Sequence, residues 1–415
     1  MASEPRDRWA ALTADQLRTL TPAPESVAEV VAEILVEVRR EGDRAVNAYS
    51  ERFDTGGEPA PPVRVTGEQL AQAERALDPT VRTGLELALE HVQEVAAAGI
   101  GTGEAVIEHP DRIITVREEP VRRAAVYVPG GRAPYPSTVA MGVAAARAAG
   151  VSQIVVCTPP PVDPVILGAC RLAGVTEVYR MGGAQAIAAL AYGTETVRPV
   201  DVIVGPGNVY VQEAKRQVTT VVGIDGFAGP SDLMVLVEAD VADLKPIVLD
   251  LLAQAEHGPG TLVIAASTSD EVCDRLRSEL AGADTSAVIR VIHAPTLDDA
   301  LALAEAFAPE HLQLVGAAAE ALAPRVTRAG CLFLGAETGT AFGDYIVGSN
   351  HILPTTGSAR FTSGVSAAQF RRRFAQVRIM DPEALAKAAA PVARAEGFEL
   401  HAQSMEARIR DNRSR

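Results

Sequence analysis

Apolar residues recur at helical spacing through the first hundred positions and in short strand-like runs after about Arg123. Positions 26–40 set Val27, Val30, Val31, Ile34, Leu35 and Val38 on one helical face, and 69–98 repeats the pattern with His91 inside it. The first 120 residues therefore read as mostly helical. From there, β-branched runs at 124–128, 154–157, 175–181, 202–204 and 234–237 alternate with Ala-rich helices, one of them over about 136–149. A second series follows at 262–266, 288–292, 312–315 and 331–334. Strands alternating with helices predict mostly parallel sheets with ligands at the carboxyl ends of the strands. The fold class expected is α/β: two incomplete Rossmann-like parallel-sheet domains, a helical N-terminal segment, and a C-terminal helical arm from about Ala367.

The 415 residues are 47% hydrophobic, enough to bury two or more cores. A formal net charge of -15, without a block of Lys and Arg, argues against nucleic acid as a partner. The densest basic run, Arg371-Arg372-Arg373, is expected as a solvated helix face. The acidic start, Met1-Ala2-Ser3-Glu4-Pro5-Arg6-Asp7, does not read as a signal peptide, and no apolar run reaches the roughly 18 residues of a membrane helix, so no membrane partner is expected. Cys157, Cys170, Cys273 and Cys331 are scattered through apolar patterns. They point to buried thiols in a reducing cytoplasm and leave any metal site to His, Gln and carboxylates.

The residues that can carry chemistry form two groups. In the first series, strand ends run into Tyr127-Val128-Pro129-Gly130-Gly131, Gly182-Gly183-Ala184-Gln185 and Gly205-Pro206-Gly207-Asn208. Glycine lets a backbone approach a ligand, and helix amino ends offer N–H groups to phosphate oxygens, although glycine also simply makes tight turns. The Gly-x-Gly-x-x-Gly fingerprint is absent, so only the repetition of such turns points to a nucleotide. In the second series, Gln254 and His257 stand three apart near the end of a buried helix closed by Gly258-Pro259. That spacing puts an amide and an imidazole on one face, within reach of one metal ion; a packed core histidine beside an exposed glutamine has the same spacing. Pro309-Glu310-His311-Leu312 sets an acid beside an imidazole just before a strand, which suits a base and a separate water-activating carboxylate. Gly343-Asp344-Tyr345, Ser349-Asn350-His351 and Glu396-Gly397-Phe398-Glu399-Leu400-His401 follow. His91 and His109 read as structural.

Ile224-Asp225-Gly226-Phe227-Ala228-Gly229-Pro230-Ser231, continued by Asp250-Leu251-Leu252-Ala253-Gln254-Ala255-Glu256-His257, resembles the signature of the histidinol dehydrogenase family. The glycine turns and the motifs around Glu310, Asp344, His351, Glu396 and His401 resemble that family's pattern in order, over about residues 25–410. Members oxidise L-histidinol to L-histidine with two molecules of NAD, closing histidine biosynthesis. The resemblance implies Zn2+ held by Gln254, His257, Asp344 and His401, the last reaching in from the partner of a homodimer. It implies NAD against Tyr127, Gln185 and Asn208, and substrate among Ser231, His311, Glu396 and the metal ligands. His311 becomes the base and Glu310 the activator of water, with His351 close to the substrate or holding Asp344. The matching division of the chain is an N-terminal arm over 1–22, a metal and substrate α/β domain over 23–126 and 236–366, an NAD-binding Rossmann-like domain over 127–235, and a dimerisation arm over 367–415. Asp232 stands where the family usually has Glu, Gly142-Val143-Ala144-Ala145 replaces a usual Asn and Pro, and Gly260 replaces an acid. Two other readings fit the same residues: a paralogous zinc and NAD dehydrogenase of another polar alcohol, such as a sulfonated diol, and a zinc hydrolase.

Overall fold

The computed structural model describes residues 13–21, 26–101, 103–131, 133–226 and 229–409. In chain order the strands are β1 (Glu104–His109), β2 (Arg112–Pro120), β3 (Arg123–Tyr127), β4 (Gln153–Thr158), β5 (Val178–Arg180), β6 (Val202–Val204), β7 (Gly223–Ile224), β8 (Asp232–Val237), β9 (Leu262–Ser267), β10 (Val288–His293), β11 (His311–Val315), β12 (Cys331–Leu334) and β13 (Arg371–Ile379). Two five-stranded sheets are parallel throughout, in the orders β5-β4-β3-β6-β7 and β10-β9-β8-β11-β12. Both orders are the same topology, third-second-first-fourth-fifth. The α/β class and the two sheets agree with the expectation from sequence.

The chain divides into two compact units. The first holds the described residues up to Gly99 together with Val121–Phe370, and so both parallel sheets. Its central strands β3, β6, β8, β9 and β11 are buried along their whole length, as expected where helices cover both faces. Along β8, Leu233, Val235 and Val237 pack with Leu251 of the helix Lys245–Ala255, while Met234 and Leu236 pack with Phe307 of the helix Leu297–Phe307. Over the first sheet, the helix Pro136–Ala148 is buried along most of its length, and a Cβ at Gly142 would stand 2.5 Å from a Val126 methyl. The substitution at that position thus lets the helix lie close on β3. The helix Ala28–Glu41 buries Val31, Ile34, Leu35 and Val38 as its spacing predicts, whereas Val30, expected on the same face, is exposed. Of the arm expected over 1–22, residues 1–12 and 22 lie outside the described residues; Ala14–Arg18 is a short helix closed by a Thr13/Gln16 capping box. The sheet boundary nearest residue 127 is the start of β3 at Arg123, and that nearest 236 is the start of β8 at Asp232.

The second unit comprises the described residues of Ile100–Pro120 and those from Arg371 onward. Here the sequence reading is corrected twice. Residues 104–120 are not helical but form the hairpin β1–β2, and Arg371-Arg372-Arg373 opens a strand rather than a helix face. β13 pairs antiparallel with β2, setting Arg372 opposite Glu119 and Arg373 opposite Glu118, so the basic run is matched by cross-strand acids. The partner lies about 250 positions away, where local periodicity carries no signal. Helices Pro382–Ala395 and Glu399–Glu406 complete this unit. Among the described residues no helix is long and apolar enough to cross a membrane.

Candidate active site

At the carboxyl edge of the first sheet, the chain order reverses between β3 and β6, where open α/β sheets form their ligand crevice. The three glycine turns meet there. The Tyr127 hydroxyl accepts the Gly183 N–H at 3.2 Å, and Gly205, at a φ of +124°, lies so close on Tyr127 that a Cβ would collide with its carbonyl oxygen. Gln185 is buried and donates to Asp54 Oδ2 at 3.2 Å. Asn208 is exposed and caps the helix Val209–Gln217, its Oδ1 accepting the N–H groups of Tyr210 and Val211 at 3.1 Å each. Tyr127 and Gln185 therefore shape the turn from beneath, and Asn208 stands at the surface beside a helix amino end. The Lys215 ammonium, fully buried, donates to the Gly205 carbonyl at 2.9 Å and pairs with Asp225, whose other oxygen accepts the Gly205 N–H at 2.7 Å.

The second cluster lies at the opposite edge of its sheet. Ser231 and Asp232 stand where β8 begins, and Glu310 and His311 where β11 begins. Parallel pairing of His311 with Leu233 brings the two strand starts together. Ser231 accepts from the Gln254 amide and donates to Glu310 Oε2, which also accepts the Asp232 N–H at 3.0 Å. The Glu310 N–H in turn donates to Asp232 Oδ1 at 2.7 Å. His311 is buried between two acids, with Nδ1 3.8 Å from Glu310 Oε2 and Nε2 3.6 Å from Asp344 Oδ1. Its Nδ1 has no hydrogen-bond partner among the described residues. Gln254 lies on the last turn of Lys245–Ala255 and His257 in the turn just beyond it, exposed. His257 is close enough to interact electrostatically with Glu310, Asp344 and His351. His351 Nδ1 meets the Asp344 carbonyl oxygen at 2.8 Å, and its Nε2 meets Thr138 Oγ1 at 3.1 Å. Glu396 and His401 belong to the second unit, both exposed, with His401 tilted against Phe398 at 5.2 Å.

The carboxyl-edge rule thus fails for this second cluster. At the carboxyl ends of β8 and β11, Glu238 accepts the Ala318 N–H at 2.7 Å, at the start of the helix Ala317–Glu320. The same side chain leaves no space for a Cβ at Gly316.

Electrostatics at the amino edge follow from burial. Burial opposes charge on His311, yet Glu310, Asp344 and Asp232 outweigh it and push the imidazole up to about 9. Burial raises Glu310, partly offset by His311 and Ser231, and burial with the neighbouring Glu310 pushes Asp232 up to about 7. Burial opposes ionisation of Asp344 too, but His311 wins and holds that carboxyl below its ordinary value. His351 is lowered, chiefly by burial. The result is a closed acid–base cluster able to hold and pass protons. Among the described residues no three His, Cys, Asp or Glu side chains form a ready-made metal cage; the set in this unit mixes the Gln254 amide with the His257 imidazole and the Asp344 carboxylate.

A sequence-family profile described as histidinol dehydrogenase matches residues 19–409. The histidinol dehydrogenase of Rhodospirillum rubrum is 41% identical over 405 residues, 93% of each chain, and that of Cereibacter sphaeroides is 43% identical over 406 residues, covering 92% of this chain and 91% of the relative. The crystal structure of histidinol dehydrogenase from Elizabethkingia anophelis superposes with a TM-score of 0.86 at 29% identity, covering 95% of both chains. The chain belongs to the histidinol dehydrogenase family. It is an oxidoreductase of histidine biosynthesis.

For this histidinol dehydrogenase family member the sequence reading collected Ser231, Gln254, Glu310, His311 and Asp344, which the fold brings into one cluster. It passed over Asp232, noted only as a departure, although its carboxylate orients Glu310. A charged residue opening the apolar run Leu233–Val237 was the available signal. It also passed over Asp54, Lys215 and Asp225 beneath the glycine turns. Phe227 and Ala228 of the signature lie outside the described residues.

Proposed function

We propose that the chain catalyses the NAD-dependent four-electron oxidation of L-histidinol to L-histidine through enzyme-held histidinal, as a zinc-containing homodimer in the cytoplasm. Family membership supports the reaction, and one observation carries the chemistry: His311, buried between Asp344 and Glu310, the latter linked to Gln254 through Ser231. The donor set suits zinc. Ser231 takes an amide hydrogen of Gln254 and so leaves its oxygen for a cation, while His257 and Asp344 add a nitrogen and a charged oxygen. His401 of the partner subunit is the fourth ligand in this reading. Bound zinc would anchor the imidazole and amino nitrogens of the substrate more than polarise the reacting alcohol. NAD, bound against the Gly182-Gly183 and Gly205–Asn208 turns shaped by Tyr127, Gln185 and Asn208, supplies the hydride acceptor.

In its neutral form His311 takes the alcohol proton as hydride leaves the carbinol carbon. Ser231 and the Asp232 N–H hold Glu310 through Oε2, and Glu310 then draws a proton from water as the aldehyde is hydrated. A second proton and hydride removal yields the carboxylate. In this reading the partner subunit's Glu396 contacts the substrate amino group. Burial of both catalytic residues shields the aldehyde from bulk water. The test counts NADH formed per L-histidinol consumed, with zinc, after chelation and after zinc is restored. Two NADH per substrate, lost with chelator and regained with zinc, is expected. Tight zinc binding without reduction by histidinol would move the substrate to another polar alcohol, and turnover without NAD would favour a hydrolase.

A further inference from the structure

Beneath the His311 cluster lies a second polar layer that the reaction does not use. Gln313 follows His311 by two residues on β11 and so shares its face of the sheet, the face covered by Lys245–Ala255. Asp250 precedes Gln254 by four residues on that helix and so shares its face. The two meet: Gln313 Nε2 donates to Asp250 Oδ2 at 3.1 Å, and also approaches the carbonyl oxygens of Thr338 at 3.2 Å and Gly335 at 3.4 Å. Asp250 Oδ1 stands 2.7 Å from where a Cβ of Gly339 would be, at the start of the helix Thr340–Tyr345 that carries Asp344. One amide and one carboxylate thus tie together the three elements bearing Gln254, His311 and Asp344.

The pair is a poor source of stability. Gln313 is fully buried and its Oε1 has no hydrogen-bond partner, a state that costs free energy and that an apolar residue of equal volume would avoid. Apolar packing is non-directional and lets a helix slide over a strand by fractions of an ångström, whereas directed hydrogen bonds fix the spacing. We propose that Asp250 and Gln313 are positioning residues, which set the separation of Gln254, His257 and Asp344 to that of a bound divalent cation. The proposal rests on the zinc reading above.

The test uses the full-length protein, stripped of metal and titrated with zinc against a chromogenic chelator. It compares wild type with Gln313→Met, Asp250→Leu and Asp250→Asn, the last keeping an oxygen to accept from Gln313. Melting curves accompany each variant. Gln313→Met and Asp250→Leu should bind zinc at least tenfold more weakly while Gln313→Met melts no lower than wild type, and Asp250→Asn should stay within about threefold of wild type. In the zinc-loaded enzymes, kcat should fall with the KM for NAD unchanged, because the glycine turns lie on the other sheet. Zinc bound equally by wild type, Gln313→Met and Asp250→Leu would overturn the positioning role alone. A wild-type chain that takes up no zinc would overturn the metal reading beneath it, and zinc uptake without histidinol oxidation would overturn only the substrate.

Discussion

The two parallel sheets share one strand order and use opposite edges. In the first sheet the amino edge is shut: Arg123, at the start of β3, pairs with Glu177 at 2.6 Å, and Arg198 joins at 3.3 Å. Its carboxyl edge is left to glycine backbone. In the second sheet Glu238 accepts the Ala318 N–H beyond the carboxyl edge, and the amino edge gathers Ser231, Asp232, Glu310 and His311. Where acids are matched by arginine the edge is structural. Where three acids share one imidazole the charge is held against burial, which is the state that titrates and moves protons. Topology offers each sheet two edges, and the two polar clusters stand at opposite ones.

The largest effect that would break this contrast is at His311. His311→Ala should lower turnover by about 10²–10⁴-fold with zinc content near wild type, measured by NADH formation and metal analysis. Zinc lost along with activity would make His311 a ligand and not the base. Next, Gly205→Ala should cost about 1–3 kcal/mol from its φ of +124° alone, and more from the collision with Tyr127. It should weaken NAD binding in titrations of the folded variant; wild-type affinity and melting would remove the first sheet's turns from the site. Smaller is Glu238→Ala, which leaves the Ala318 N–H without its acceptor. A loss of about 0.5–2 kcal/mol in denaturant unfolding, with unchanged NADH formation, is expected. A loss of activity there would mean that the second sheet works at both edges.

A further effect is one of pH. Burial opposes the charge on Glu177, but Arg123, with Tyr179 and Arg198, wins and holds its carboxyl down at about 2 against an ordinary 4.5. A carboxyl lowered by folding stabilises the folded state above its unfolded value and loses that contribution as pH falls through the folded one. Wild-type melting should therefore drop more steeply between pH 4.5 and 2 than that of Glu177→Gln, which should be less stable at neutral pH. Parallel curves would make the Arg123 pair a bystander.

Much of this was legible before the fold was known. Gln254 and His257 at helical spacing, Glu310 beside His311, and three glycine turns after strand ends are local patterns, and local patterns survive in sequence. Asp232 read only as a departure, because nothing nearby shows that it faces Glu310 across 78 positions. Gln313 read as one letter in an apolar strand, and 371–379 as helix, because the partners Asp250 and β2 are distant in the chain. By itself the sequence determined the family, the two α/β series and the residues able to carry chemistry, since periodicity, turns and motif order are properties of neighbours. Only the tertiary structure decided which edge of each sheet carries its polar cluster and which buried polar groups support it, because those depend on pairings whose closure brings distant charges into one desolvated space.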